Sequence, residues 1–345
     1  MMFDTFKELC LLAGVSGNEQ PVSDYIVKKL AGMDGVDYTI DPLGSILVHK
    51  KGADRAKTRL MLSAHMDEVG LIVTYVDESG LLKFGPVGGI DPRVVVGRRV
   101  RLAKSGVTGV IGTKAIHLQK ADERKEAPDF DKLLIDIGAS SREQALQWVE
   151  PGDTAVFDSE FIRFGDGFVK SKAIDDRAGC AILLEILSSP LPYDIDIAFN
   201  VQEEIGTRGA RAAAFSLDPQ VSIVVEATTA ADVANVPEDK RVCYLGGGPV
   251  ISFMDHATVY DRELYKLAFD TAAQEGIACQ TKTAVAGGND SGAIHLSRGG
   301  VRPLAVSIPC RYLHSPSCVI NYADAEGTSA LVAALCKIIP SKPTC

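Results

Sequence analysis

Four apolar runs, far apart in the chain, each stop at a histidine or a carboxylate. LMLSA leads to His65 and Asp67, IAFNVQ to Glu203 and Glu204, SIVV to Glu226, and PLAVSIPCRYL to His314. Short continuous apolar runs that end in polar residues predict strands buried on both faces, as in a sheet covered by helices. In open α/β sheets the carboxyl ends of such strands form one rim, and sites lie there. A fifth element, Asp175-Asp176, precedes an apolar helical stretch, where carboxylates suit a helix N-terminus. The pattern predicts an α/β fold in which five distant segments converge.

The rest of the chain fits that frame. Phe3 to Leu12 carries one apolar helical face, and GVSGNEQ breaks it, with Ser16 or Asn18 as a cap for a second helix ending at Leu30. From about Leu71 to Gly167 the texture becomes short β-prone runs separated by ESG and KSG turns, with SREQALQWV as the main helical stretch. This predicts a β-rich domain at 71–167, inserted between a first α/β part at 1–70 and a second at 168–345. In the second part CAILLEIL, GARAAAF, DRELYKLAFDTAAQE and GTSALVAALCKII read as helices, with Gly276 stopping the third. YDIDIAFNVQ, VSIVVEA and RPLAVSIP read as strands.

Composition removes several function classes. A chain of 345 residues corresponds to about two domains, and 46% hydrophobic with 23% charged residues supports a large core. The net charge is −9 without a long basic run, which argues against nucleic acid and against an anionic membrane surface. No apolar stretch approaches the roughly 20 residues of a membrane span, and MMFDTFKELC lacks the basic start of a signal peptide. Eight scattered cysteines without a CxxC pair read as reduced thiols, so the expected location is cytoplasmic.

Two histidines and several carboxylates form a nitrogen–oxygen donor set suited to Zn²⁺, Co²⁺ or Mn²⁺. There are enough donors for two ions about 3.5–4 Å apart if one carboxylate bridges. The adjacent pair in VQEEIGTRGA then divides the work: one glutamate coordinates a cation, and the other accepts a proton from the attacking water and returns it to the leaving group. Each signal alone has a plainer meaning: a solvated Glu pair, a core histidine, a helix cap, a loop hydrogen bond. Their shared topological position outweighs those meanings. His49, His117, His256 and His295 lack that position and are set aside, with AIHL around His117 kept as a possible neighbour of the site.

The stretches GVSGNE, SAHMDEVGLIV, KAIDDRAGCA, VQEEIGTRGA, GGGPVI, AGGNDSGAIHLSRGGV and IPCRYLHSP, in order from residue 14 to 316, resemble the tetrahedral (TET-type) dinuclear metallo-aminopeptidases. The resemblance also extends to proteins called glutamyl aminopeptidases and, mistakenly, endoglucanases. It implies a phosphopeptidase-like α/β catalytic domain whose β-rich insertion mediates dimerisation and assembly into a tetrahedral dodecamer that admits peptides. It implies His65 and Glu226 on one metal, Glu204 and His314 on the other, and Asp175 bridging, with a cis peptide to Asp176. Glu203 becomes the general base, and Asp67 orients His65. Two positions depart from the family pattern: Glu226 stands where many relatives carry Asp, and GGND where they usually carry GGTD. Asn289 and Asp290 are expected beside the substrate.

The expected reaction is hydrolysis of an N-terminal peptide bond. The rival with the same ligands is a dinuclear deacylase or carboxypeptidase, and the rival of another class is a non-catalytic peptide-binding shell. A metal-free glycanase would need two carboxylates flanking a sugar.

Overall fold

The computed structural model describes residues 2–122 and 124–343. The chain opens with α1 (Met2–Leu11) and α2 (Gln20–Leu30), then β1 (Val36–Ile40), β2 (Ile46–Lys50) and β3 (Leu60–His65). Every residue of β3 is buried, which explains its uninterrupted apolar run. Helix α2 takes neither cap read from the sequence. Glu19 stands at its N-cap without a side-chain cap bond, because Ser16 Oγ donates to Asp67 and Asn18 Nδ2 to Thr154.

Six strands then close a barrel: β4 (Gly70–Val76), β5 (Leu82–Val87), β6 (Arg99–Leu102), β7 (Thr108–Gly112), β8 (Leu134–Asp136) and β9 (Thr154–Phe157). The stretch SREQALQWV forms only one short helix, α3 (Arg142–Ala145), capped by Ser141. The barrel has its own core, including Leu71, Val73, Phe84, Val100, Ile111 and Ile135. Next come β10 (Ile162–Phe164) and β11 (Phe168–Ser171), which are not part of the barrel.

The second half supplies α4 (Ile174–Leu187), β12 (Ile195–Asn200), α5 (Arg208–Leu217), β13 (Val221–Thr229), β14 (Val250–Ile251), α6 (Arg262–Glu275), β15 (Gln280–Thr281), α7 (Ser291–Ile294), β16 (Arg302–Cys310), β17 (Cys318–Asn321) and α8 (Tyr322–Ile338). β17 pairs with β11 in a small three-stranded sheet. The main sheet has eight strands in the order β1-β2-β12-β3-β13-β16-β14-β15. Its four central strands, β12, β3, β13 and β16, run parallel, and the strands that flank them, β2 and β14, are antiparallel to them.

α4 packs on β3 and β13, flanked by α1 and α8, while α5 and α7 cover the other face. The approach of α4 is close: a Cβ on Gly179 would lie 2.4 Å from the Val225 carbonyl, so only glycine fits. α8 begins earlier than GTSALVAALCKII predicts, capped by Asn321, and its Gly327 packs against Pro249. No described helix is long and apolar enough to cross a membrane, and all seven described cysteines are free thiols.

Candidate metal centre

Register aligns the site. Asn200 at the end of β12 pairs with His65 at the end of β3. On the other side of β3, Val224 of β13 pairs with Ser63, so Glu226 comes level with His65 two residues on. Two residues beyond Asn200 the backbone turns through positive φ at Gln202, and Glu203 and Glu204 project from that turn. The peptide joining Asp175 to Asp176 is cis. His314 is not at a strand end: β16 stops at Cys310, and His314 lies in the following loop, itself at positive φ.

The side chains meet in a cavity of about 250 Å³, whose walls include His65, Asp175, Glu203, Glu204, Glu226 and His314. His65 Nε2 lies 3.3 Å from Asp175 Oδ1 and 4.0 Å from Glu203 Oε2. His314 Nε2 lies 3.2 Å from Glu204 Oε2 and 3.7 Å from Asp175 Oδ2. Asp175 therefore presents one oxygen to each imidazole. Donor atoms of His65, Asp175 and Glu204 all fall within 4.8 Å of one another. Asp176 is turned into the core, where it accepts the backbone N–H groups of His65 and Gly179. A larger groove of about 760 Å³ over α5 and α7 has no imidazole or carboxylate from the described residues in its walls and is not where this chemistry sits.

A set of buried partners holds these groups. His65 Nδ1 is 3.2 Å from the Asp67 carbonyl and 3.3 Å from its Oδ1. Asp67 also accepts the N–H groups of Glu203 (3.0 Å) and Glu204 (3.1 Å) and the Ser16 hydroxyl (2.5 Å). Glu19 accepts the Gln202 N–H at 3.1 Å, which fixes the turn from below. The motif GVSGNE thus acts by holding VQEE. His314 Nδ1 is 2.8 Å from the carbonyl of Gly89, in the loop that follows β5.

Sequence reading missed Ser16, Glu19 and Gly89 as partners, because these are contacts between distant segments. It also placed Asn289 and Asp290 beside the substrate, whereas neither lines the cavity and both are almost fully buried. Asn289 Nδ2 donates to Glu226 Oε1 at 2.7 Å and to the Tyr260 hydroxyl at 2.9 Å, and Asp290 accepts from Asn200. Of the four histidines set aside, none lines the cavity, and His117 is exposed on the barrel.

Burial pushes Glu204 up to about 7 and raises Glu203 and Glu226 well above the usual carboxylate range, with neighbouring carboxylates adding to each. Burial opposes charge on His314, yet Asp175 and Glu204 carry it up to about 10. Burial would also raise Asp175, but His314 and His65 hold it below its ordinary value. Four carboxylates thus face two imidazoles in a space that water screens poorly. Among the described residues the donor set is entirely nitrogen and oxygen, with no sulfur on the cavity walls. A divalent cation fits both the donors and the excess of negative charge.

Residues 44–331 match the M42 glutamyl aminopeptidase family. A lysyl aminopeptidase of Pyrococcus furiosus is 32% identical over 343 residues, covering 96% of this chain and 96% of that one. A glutamyl aminopeptidase of Lactococcus lactis is 31% identical over 333 residues, covering 94% and 92%. The fold superposes on the TET1 peptidase of Pyrococcus horikoshii, which assembles into a tetrahedron or a large octahedral shell, with a TM-score of 0.86 and 32% identity over 97% of this chain and 99% of that one. With its α/β architecture and its cluster of N and O donors, the chain is an aminopeptidase and belongs to the M42 glutamyl aminopeptidase family.

Proposed function

We propose that the chain removes N-terminal residues from peptides at a centre of two divalent ions, Zn²⁺, Co²⁺ or Mn²⁺. The observation that carries this reading is the convergence of His65, Asp175, Glu203, Glu204, Glu226 and His314 on one cavity. His65 and Glu226 would hold one ion, Glu204 and His314 the other, with Asp175 between. Bound ions would polarise the scissile carbonyl and lower the pKa of the attacking water.

Glu203 is the general base. Its amide is anchored to Asp67, and its carboxylate lies at the cavity with no hydrogen bond from the described residues. Burial first, and then the charges of Asp290, Glu204 and Asp175, raise its proton affinity, which suits a group that takes a proton from water and passes it to the leaving amine. Asp67 orients His65 and keeps both glutamates in position. The surplus of carboxylates around the cavity also favours a substrate with a free α-ammonium group.

The proposal extends to organisation: residues 1–70 and 168–345 form the catalytic part, and 71–167 the dimerisation and assembly part. Dimers then build a tetrahedral dodecamer, a reading supported by the shell of the Pyrococcus horikoshii relative. Free thiols throughout the described chain are in keeping with a cytoplasmic location.

The test is hydrolysis of an aminoacyl chromogenic panel, free and N-acetylated, by metal-stripped protein with each ion added back. Metal-restored cleavage of the free-amine substrates alone is the expected outcome. Equal cleavage of blocked substrates would point to a deacylase and remove the proposed N-terminal chemistry.

A further inference from the structure

Behind Glu226 runs a buried chain of hydrogen bonds that ends away from the cavity. Asn289 Nδ2 donates to Glu226 Oε1 at 2.7 Å and to the Tyr260 hydroxyl at 2.9 Å, and that hydroxyl donates to Asp255 Oδ2 at 2.6 Å. All of these side chains are almost fully buried, yet of them only Glu226 lines the cavity. Whatever Asp255, Tyr260 and Asn289 contribute to the site, they contribute through Glu226.

The direction of each bond follows from the donors and acceptors present. Asp255 lies in a turn between β14 and α6, flanked by the paired residues Met254 and Val259. Its Oδ1 closes that turn by accepting the N–H groups of Ala257 and Thr258 at 2.8 and 2.7 Å. Turn closure does not account for Oδ2, whose partner among the described residues is Tyr260. A carboxylate only accepts, so the phenol proton points to Asp255 and the phenol oxygen meets Asn289 as an acceptor. The Asn289 carbonyl takes the Ser291 N–H at 2.8 Å, which leaves one amide hydrogen for Tyr260 and one for Glu226. Turned over, the amide would set oxygen against oxygen at both partners. The frame is tight as well: the His256 N–H donates to the Gly287 carbonyl at 2.9 Å, and a Cβ on Gly292 of α7 would lie 2.8 Å from the Ala257 methyl group.

We propose that Asp255, Tyr260 and Asn289 form a polarised relay that positions Glu226, holding Oε1 as an acceptor, leaving the other oxygen to the ion, and so setting the affinity of one of the two metal positions. Asp255 supplies the polarity of the relay. The proposal rests on the reading above that Glu226 is a metal ligand.

Asp255→Asn is the discriminating variant. Its amide oxygen still closes the turn, while its NH₂ faces Tyr260, so the phenol proton swings toward Asn289 and donor meets donor. Co²⁺ is titrated into metal-stripped wild type, Glu226→Gln, Asp255→Asn, Tyr260→Phe and the Asp255→Asn/Tyr260→Phe double variant. Binding is followed by calorimetry and by the visible absorption of the bound ion, and Tm is measured for each metal-free protein. Wild type should bind two equivalents and Glu226→Gln should lose one. Asp255→Asn should weaken that same equivalent about 10–100-fold, leave the other within about threefold and alter the Co²⁺ spectrum. Tyr260→Phe should do less. Removing the misdirected hydroxyl should restore binding, so the double variant should hold Co²⁺ at least about threefold more tightly than Asp255→Asn alone. Two packing defects would add instead of cancelling. Additive losses, an equal loss in both equivalents, or wild-type binding by Asp255→Asn would overturn the relay. Wild-type stoichiometry in Glu226→Gln would instead remove Glu226 as a ligand, sinking that reading and the relay with it.

Discussion

Glu203 and Glu204 are chain neighbours in different surroundings. Glu204 has His314 Nε2 at 3.2 Å, whereas the nearest imidazole nitrogen to Glu203 is at 4.0 Å. Glu203→Gln keeps the size and the amide bond to Asp67 while removing the basic oxygen. Turnover should fall about 10²–10⁴-fold, with metal stoichiometry by elemental analysis unchanged; near-normal turnover would take Glu203 out of the base role. Asn289 and Glu226 meet in the structure, the Asn289 amide donating to Glu226 Oε1 at 2.7 Å. Asn289→Ala should weaken metal affinity about 10–100-fold by calorimetric titration, and less when combined with Glu226→Asp, whose shorter arm no longer meets the amide. Equal losses in both backgrounds would mean that the pair is not coupled. That His65, Glu203, Glu204, Glu226 and His314 share one cavity could be read in the sequence, because histidines and carboxylates that each follow a buried apolar run are unusual together. The contact of His314 with Gly89 could not, because nothing local marks it: the two residues are 225 positions apart.

At the level of elements, a buried ion cluster ties the start of the chain to the site. Glu68, just after β3, binds Lys172 at 2.7 Å and Arg177 of α4 at 3.2 Å, and also accepts the Gly14 N–H. Lys172 and Arg177 in turn donate to the carbonyls of Leu12 and Leu9 at the end of α1. Three segments are joined at one carboxylate with almost no solvent exposure. Glu68→Ala leaves two buried cations without their anion and should cost about 3–5 kcal/mol in denaturant unfolding; a loss under about 0.5 kcal/mol would mean that water or a shifted side chain replaces the carboxylate. Elements with long, regular periodicity were legible: α6 ends at Gly276, which caps it at positive φ, and β13 and β16 lie where apolar runs predicted strands. The hairpin β10–β11 was not, since its partner β17 lies about 150 residues later and the pairing leaves no local pattern. The start of α8 was misplaced because Gly327 reads as a boundary, yet here it serves a close contact with Pro249.

Across the molecule, the site joins parts of the chain that are otherwise separate. β3, the turn after β12, β13, the start of α4 and the loop after β16 each bring one or two donors, and the loop after β5 holds His314 through Gly89. Without a cation, burial and mutual repulsion raise Glu203, Glu204 and Glu226, so the folded protein carries an unfavourable charge cluster at its centre. An ion that binds the folded state and not the unfolded chain stabilises it by RT ln(1 + [L]/Kd), about 2.7 kcal/mol at a hundredfold excess over Kd. Stripping with a chelator should therefore lower the unfolding temperature, and Zn²⁺, Co²⁺ or Mn²⁺ should restore it in order of affinity. Because residues from both halves of the chain line the cavity, the shift should appear in the surrounding core as a whole rather than in one helix. Hydrogen exchange resolves this: protection should rise together in β3, β12, β13 and the N-terminal turn of α4. A rise confined to the loop at His314 would mean that the cation is held at a surface loop and that the buried cluster is not its site. The same measurement in Glu203→Gln separates binding from catalysis, since a base that is not a ligand leaves the thermal shift in place while turnover is lost.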